Sequence, residues 1–580
     1  MLLVTTALEK TWGQTQQILF LGEWCKLYGR KKVWQAREYQ TLEYNWGNKE
    51  LLKADYEDLT KLYERFLPEL AATLNRIHGT SHSEKYWRIL VGPWLGFFIQ
   101  ILYQRWSSIT KATDDFDITN TILLTDKEFY LVPNDMQEFA TLFSGDEWNH
   151  YICGQIIRQQ NKIKYSFLNH EVVVQCINSE SKRHSFSRGS KKLSLDILNG
   201  LLSPFKTDTD FFFIATGLPK VKEFILKLRL GQLPQYFLSD GAPQICLDVD
   251  RRQWKIEGFS HSNFESFLRK VIPSQIPKVY IEGYALAEKL TTQIRWPKSP
   301  KIIFTAVGHV YDDLVKNYIA AKVEQGSCLV IGQHGGGSFH AINFQTEHEL
   351  TICNLYLSPG DGNVWHPKVR DVGQIFARDW NSDPKGSGLL MQLDTPRFSY
   401  SISSTTQSDD FNKYLIDQFS FVDALPSKIR DCFIVRLHAA DSGRGQKMQW
   451  KERFPSLVID DGHQHVHSLF AKSKLIVCTY AGTTYNQTLA ANAPTVIFWN
   501  AKYEQLHETA KPLFNELIRV GIFHRTPESA AAHVTRVWSD VAGWWGSADL
   551  QEVREKYCRG FASLPVNSLD LVASALNNMS

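Results

Sequence analysis

The chain has 580 residues, is 43% hydrophobic and 22% charged, and carries a formal net charge of +3. That length exceeds one ordinary core, so two large lobes are expected. So small a charge on so long a chain gives no argument for a nucleic-acid partner. Nine cysteines without a CxxC pair read as free, mostly buried thiols of a reducing compartment, with Cys432 and Cys478 inside strand-like apolar runs.

The first residues lack the basic segment and apolar run of a secretion signal. An early strand candidate, "QILFLG" at 17–22, precedes a helical stretch. There Leu59, Leu62, Tyr63, Phe66, Leu67, Leu70 and Leu74 recur at three- and four-residue spacing. The longest apolar run, residues 89–103, is shorter than a membrane span and lies between Arg88 and Arg105. It predicts a buried or interfacial helix, and the chain is expected to be cytoplasmic, with peripheral attachment to the inner membrane left open. Between about 170 and 295, "DFFFIAT" and "QICLDV" predict strands among polar turns.

From Lys301 the pattern sharpens. "KIIFTAV", "YDDLVKNYIAAKVEQ" and "SCLVIGQ" form a strand–helix–strand unit at parallel-sheet spacing. After the "PKGSG" punctuation at 384–388 come strand "GLLMQLD", helix "DDFNKYLIDQF", strands "DCFIVRL", "SLVIDD" and "KLIVCTY", helix "TYNQTLAAN" and strand "PTVIFW". This alternation predicts an α/β fold with a mostly parallel sheet. It divides the chain into an N-terminal lobe, 1–383, and a Rossmann-like lobe, 384–580.

Three motifs can carry chemistry. The run "GQHGGG" follows a predicted strand, where open α/β sheets bind ligands. Gly335, Gly336 and Gly337 let backbone amides approach a phosphate or sugar, and His334 adds a proton carrier. The plain alternative is a glycine-rich turn with an incidental histidine. In the second motif a strand ends at Cys478, a loop carries Thr479, Thr483 and Thr484, and a helix with Gln487 follows. A helix start of this kind is an anion site, although Thr484 and Gln487 also have capping-box spacing. The third is Arg436, at the end of a strand of the same sheet. It is suited to pair with a diphosphate and, equally, to an ion pair within the fold.

Weaker signals are Glu347 and Glu349, candidate general bases after the glycine turn, and the acidic pairs at 208–210 and 248–250. His463, His465 and His467 share one face if extended, but without a carboxylate or cysteine ligand set they read as a polar loop.

Several stretches carry a family resemblance: "TTALEKTWG", "ILFLGEWCKLY", "LNRIHG", "YWRILVGPWL", "DEWNH", "GQHGGG", "TLAANAPTVIFWN", "VGIFH" and "TPESAA". Through them the chain resembles a bacterial family of transferases found with surface-polysaccharide genes, itself similar to the two-Rossmann-lobe (GT-B) glycosyltransferases. The resemblance implies two Rossmann-like lobes facing a cleft, the first with additional helices. It implies His334 on the donor cleft and the 483–487 segment at the donor phosphates and ribose. It also implies a nucleotide-sugar donor as substrate, a surface glycan or lipid-linked acceptor, and neither cofactor nor metal. Two departures stand out: Gln487 where relatives carry glutamate, and "SPGDG" at 358–362 where they carry an aromatic segment. These keep open a binding protein without chemistry, and the related histidine turn of teichoic-acid polymerases keeps open a phosphoalcohol transferase.

Overall fold

A computed structural model of the chain describes residues 1–14, 17–125, 131–169, 211–233, 235–335, 341–360, 366–375 and 380–579. Gly336, Gly337, the acidic pair at 208–210 and part of "SPGDG" lie outside them. Within them the fold is α/β and contains three sheets, each entirely parallel.

The first sheet runs β3-β2-β1-β4-β5, from Leu2–Val4 (β1), Ile18–Phe20 (β2), Tyr39–Thr41 (β3), Asn120–Leu124 (β4) and Lys164–Leu168 (β5). The second runs β10-β9-β8-β7-β6, from Phe212–Phe213 (β6), Ile302–Thr305 (β7), Cys328–Gly332 (β8), Leu355–Ser358 (β9) and Val369–Asp371 (β10). The third comprises Ser387–Met391 (β11), Phe433–Arg436 (β12), Val458–Asp460 (β13), Ser473–Cys478 (β14), Thr495–Phe498 (β15) and Phe523–His524 (β16). Its order, β13-β12-β11-β14-β15-β16, is that of a dinucleotide-binding doubly wound sheet, with the switch point between β11 and β14.

The N-terminal block therefore holds a whole parallel sheet where the sequence shows one strand candidate and helices. The second expected difference is at "QICLDV", which forms no strand. The amide of Ile245 there donates to Asn134 Oδ1 at 2.8 Å, so a side chain takes the place of a ladder partner.

The helix Lys49–His78 begins at Asn48, whose side chain accepts from the Leu51 amide, and stops at Gly79 with φ +66°. All seven residues of its expected apolar stripe are buried. The long apolar run becomes two helices, Glu84–Leu90 and Gly92–Asp115, with Pro93 in the first turn of the second. Among the described residues, no helix is long and apolar enough to cross a membrane.

One apolar core runs through the first and second sheets, from Leu2 and Ile18 through Phe66 and Trp94 to Ile303 and Tyr356. The third sheet has its own, built on Leu389, Val477, Ile497 and Phe514. On the other face of the second sheet, Phe304, Val330 and Leu357 are covered by Val572 and Leu576. The helix Ser568–Asn577 thus leaves the third sheet and closes the second.

Gly96 lies where the Gly92–Asp115 helix meets Phe344: a Cβ there would sit 1.8 Å from the ring. Alanine should gain about 1 kcal/mol of helix propensity but lose about 1–3 kcal/mol to overpacking. Gly96→Ala is therefore expected to lower the urea midpoint without changing the slope of the transition.

Of the eight described cysteines none is paired, and Cys25, Cys153, Cys353, Cys478 and Cys558 are buried. Cys432 is exposed, one residue before β12 rather than inside it.

Candidate functional site

The carboxyl ends of the second and third sheets meet at one cleft, where Gln333 and Ser358 from the second and Thr483 and Gln487 after the third line a common cavity. β8 delivers the glycine turn. Gln333, buried at its start, donates from Nε2 to the Gly335 carbonyl at 3.0 Å and accepts from Ser358 Oγ at 3.1 Å. One side chain thereby fixes the turn on the end of β9. Gly335 has φ +82°, and a Cβ on it would lie 2.8 Å from Thr483 Oγ1. The lobes touch at this glycine. His334, beside it, is exposed.

On the opposite wall, β14 runs into the loop 479–482. Thr479 is buried, donating to the Met391 carbonyl at 2.7 Å and contacting Tyr414 Oη at 2.8 Å. It ties β14 to β11 at the switch point, away from the cleft surface. The helix Thr483–Ala490 starts on Gly482, which has no side chain with which to cap it. The capping box that the spacing allows is not formed: Thr484 sits inside the first turn with its hydroxyl 2.9 Å from Tyr480 Oη. Thr483 and Gln487 line a cavity of about 310 Å³ together with His334, Gly335, Ser358 and Gln374.

A second cavity, of about 440 Å³, lies on the other side of His334, which lines both. Its walls are Phe97, Tyr311 and Tyr400, with polar groups from Asn343, Ser403, Thr405 and Gln407. Glu349 also lines it and is only 4% exposed. Its Oε1 accepts from His309 Nε2 at 3.0 Å and Gln345 Nε2 at 2.9 Å, and its Oε2 accepts from Tyr356 Oη at 3.0 Å. Burial pushes the Tyr311 phenol up to about 12.

The structure therefore brings His334, Gly335, Glu349, Thr483 and Gln487 to one cleft. Glu347, two residues before Glu349 on the helix Phe344–Ile352, is exposed and lines neither cavity. Arg436 is turned to the neighbouring strand, where it pairs with Asp460 and donates to the Gly462 carbonyl at 2.8 Å. Asp248 and Asp250 are exposed. The rings of His465 and His467 are 5.3 Å apart, and no group of three His, Cys, Asp or Glu among the described residues is placed to hold a metal ion.

Two features of the site lie beyond the sequence reading. His309 lies four residues past the end of β7, in "GH", so its signal was the Gly-His pair after an apolar strand. The other is the segment 393–409, rich in serine and threonine, which feeds Ser401, Ser403, Thr405 and Gln407 into the larger cavity. Glu504 secures it, accepting from the Thr406 amide at 2.8 Å, the Thr406 hydroxyl at 2.6 Å and the Ala481 amide at 3.0 Å. One carboxylate so joins the cavity wall to the loop before the Thr483 helix.

Burial raises the Glu504 carboxyl to about 7. The folded state then holds this proton more tightly than the unfolded chain. Its contribution to stability is complete below about pH 4.5 and is lost as pH rises to about 7, by about 3 kcal/mol at most. Glu504→Gln removes that titration. Its stability relative to the unsubstituted protein is expected to improve from pH 5 to pH 7.5, and parallel urea titrations at the two pH values measure the change.

Residues 1–576 match the family described as LIC12162 family transferase. No curated protein matches the chain. Among solved structures it is similar to MurG of Acinetobacter baumannii, at 11% identity over 64% of this chain and 99% of that one, with a TM-score of 0.33. A glycosyltransferase of Rickettsia africae matches at 12% identity over 54% and 86%, with a TM-score of 0.31. The spinosyn rhamnosyltransferase SpnG, solved with spinosyn aglycone, matches at 10% identity over 64% and 100%, with a TM-score of 0.28. Likeness at this level transfers no residue and no substrate.

Proposed function

Because the chain belongs to the LIC12162 family of transferases, we propose that it moves a sugar from a nucleotide-activated donor to a bacterial surface glycan or lipid-linked acceptor. The observation that carries this reading is the position of His334. It stands between a cavity that ends on an uncapped helix start and a cavity lined by hydroxyl, amide and aromatic groups.

In the proposed reaction the donor phosphates lie against the Thr483 helix start and the Gly335 turn. Partial positive charge at the helix end opposes the charge that builds on the leaving diphosphate. The acceptor oxygen forms the new bond to the anomeric carbon. The bond from that carbon to the phosphate oxygen breaks, and its electron pair leaves with the nucleotide. The acceptor proton passes to His334. Gln487 offers one acceptor oxygen and one donor group to a ribose. Arg436 keeps its ion pair throughout, so the reading gives it no contact with the donor.

The test is a thermal-shift panel of UDP, GDP, CMP and dTDP, followed by turnover of the matching nucleotide sugars. Stabilisation by one nucleotide, with release of that nucleotide on adding a glycan acceptor, is expected. Binding without turnover on any acceptor would favour a binding protein, and release of a nucleoside monophosphate from a CDP-alcohol would favour phosphoalcohol transfer.

A further inference from the structure

The larger cavity is built unlike a phosphate site. Among the described residues that line it there is no lysine or arginine, and the single ionisable carboxylate is Glu349. A carboxylate offers about four acceptor positions. His309, Gln345 and Tyr356 fill three on Glu349, which leaves about one for a hydroxyl of a ligand. His309 Nδ1 is buried with no partner among the described residues, and Nε2 is the ring atom turned to Glu349. The negative charge of Glu349 is thus fixed in place and directed at whatever enters.

Around this anchor stand Asn343, Ser403, Thr405 and Gln407, which exchange hydrogen bonds with hydroxyls in either direction. The rings of Tyr311 and Tyr400 supply flat apolar faces. We infer that this cavity seats the transferred sugar ring and selects an uncharged ring over a carboxylated one, with Glu349 as the fixed acceptor. The inference rests on the glycosyl-transfer reading and adds to it the class of sugar. A uronic-acid ring would place a second carboxylate beside the first, with no lysine or arginine among the described lining residues to separate them, and like charges so placed oppose binding.

Matched donors that differ only at C6 test this. UDP, GDP and dTDP are each titrated alone by calorimetry to find the base accepted. The neutral and acidic donors on that base follow: UDP-glucose with UDP-glucuronic acid, GDP-mannose with GDP-mannuronic acid, or dTDP-glucose with dTDP-glucuronic acid. Relative to the nucleotide alone, the neutral donor should bind about tenfold more tightly than the acidic one, or more. Glu349→Gln should shrink that gap to about threefold or less. Thr405→Lys, which brings a cation into the cavity and leaves the hydrogen bonds of Glu349 intact, should shrink it as well. It keeps the test decisive if Glu349→Gln fails to fold. Equal or tighter binding of the acidic donor, or a gap that survives both changes, overturns the selection and leaves the glycosyl-transfer reading standing. If neither these three nor CMP binds, that reading falls, and the inference with it.

Discussion

Replacing His334 by alanine should lower glycosyl transfer by about 10²–10⁴-fold, the range expected when a positioned proton acceptor is removed. The expectation follows from where the imidazole stands. It is the residue shared by the two cavities, so the donor phosphates on one side and the transferred sugar ring on the other meet beside it. Because His334 is exposed, its loss removes no core packing, and the melting temperature should hardly change. Donor affinity should also stay within a few-fold, since the phosphates are assigned to backbone groups. Steady-state kinetics with the accepted donor, alongside a calorimetric melt, separate the two quantities. A variant with full turnover would sink the assignment of His334, and one with a lowered melting temperature would make the loss uninformative.

The second large effect is expected at Gly335. Two independent demands meet there: the backbone needs φ +82°, and a Cβ would stand 2.8 Å from Thr483 Oγ1. A branched side chain in the left-handed region costs about 1–2 kcal/mol. The contact then moves either the glycine turn or the start of the opposing helix. A displacement of about 1 Å at a reacting centre costs about 10²-fold in rate. Gly335→Val should therefore lose about that much turnover and also weaken nucleotide binding, whereas His334→Ala keeps it. Thr483→Ala in the Gly335→Ala background relieves the contact but not the backbone strain, and should restore part of the binding. Calorimetric titration of the nucleotide across the three variants measures both demands.

The third sheet was legible because its central strands β11, β14 and β15 are almost wholly buried and read as apolar runs. β12, β13 and β15 fall inside predicted segments, as do β7 and β8 of the second sheet, and β11 and β14 begin one residue before theirs. The first sheet was hidden by its brevity. β1, β2 and β3 have three residues each, and β3 is "YQT", too short and too polar for periodicity to register. The glycine turn and the helix start were readable as chemistry because their function depends on local backbone geometry. The partners were not. Asp460 reaches Arg436 through the register of two strands 24 residues apart. Glu349 is distinguished from Glu347 only by helical phase, which sends one to the cavity and the other to solvent. His309 gains its meaning from a carboxylate 40 residues away.

The return of the Ser568–Asn577 helix to the second sheet bears on how the molecule is made. Phe213 and Leu576 belong to one small apolar cluster, although more than three hundred residues of chain separate them. Loop closure on that scale is slow to be repaid. During synthesis the second sheet waits, one face uncovered, until the third sheet and its helices have been translated. Chaperone demand should therefore be set by the interval between translating β10 and translating Ser568, and codon usage across the third sheet becomes a determinant of yield.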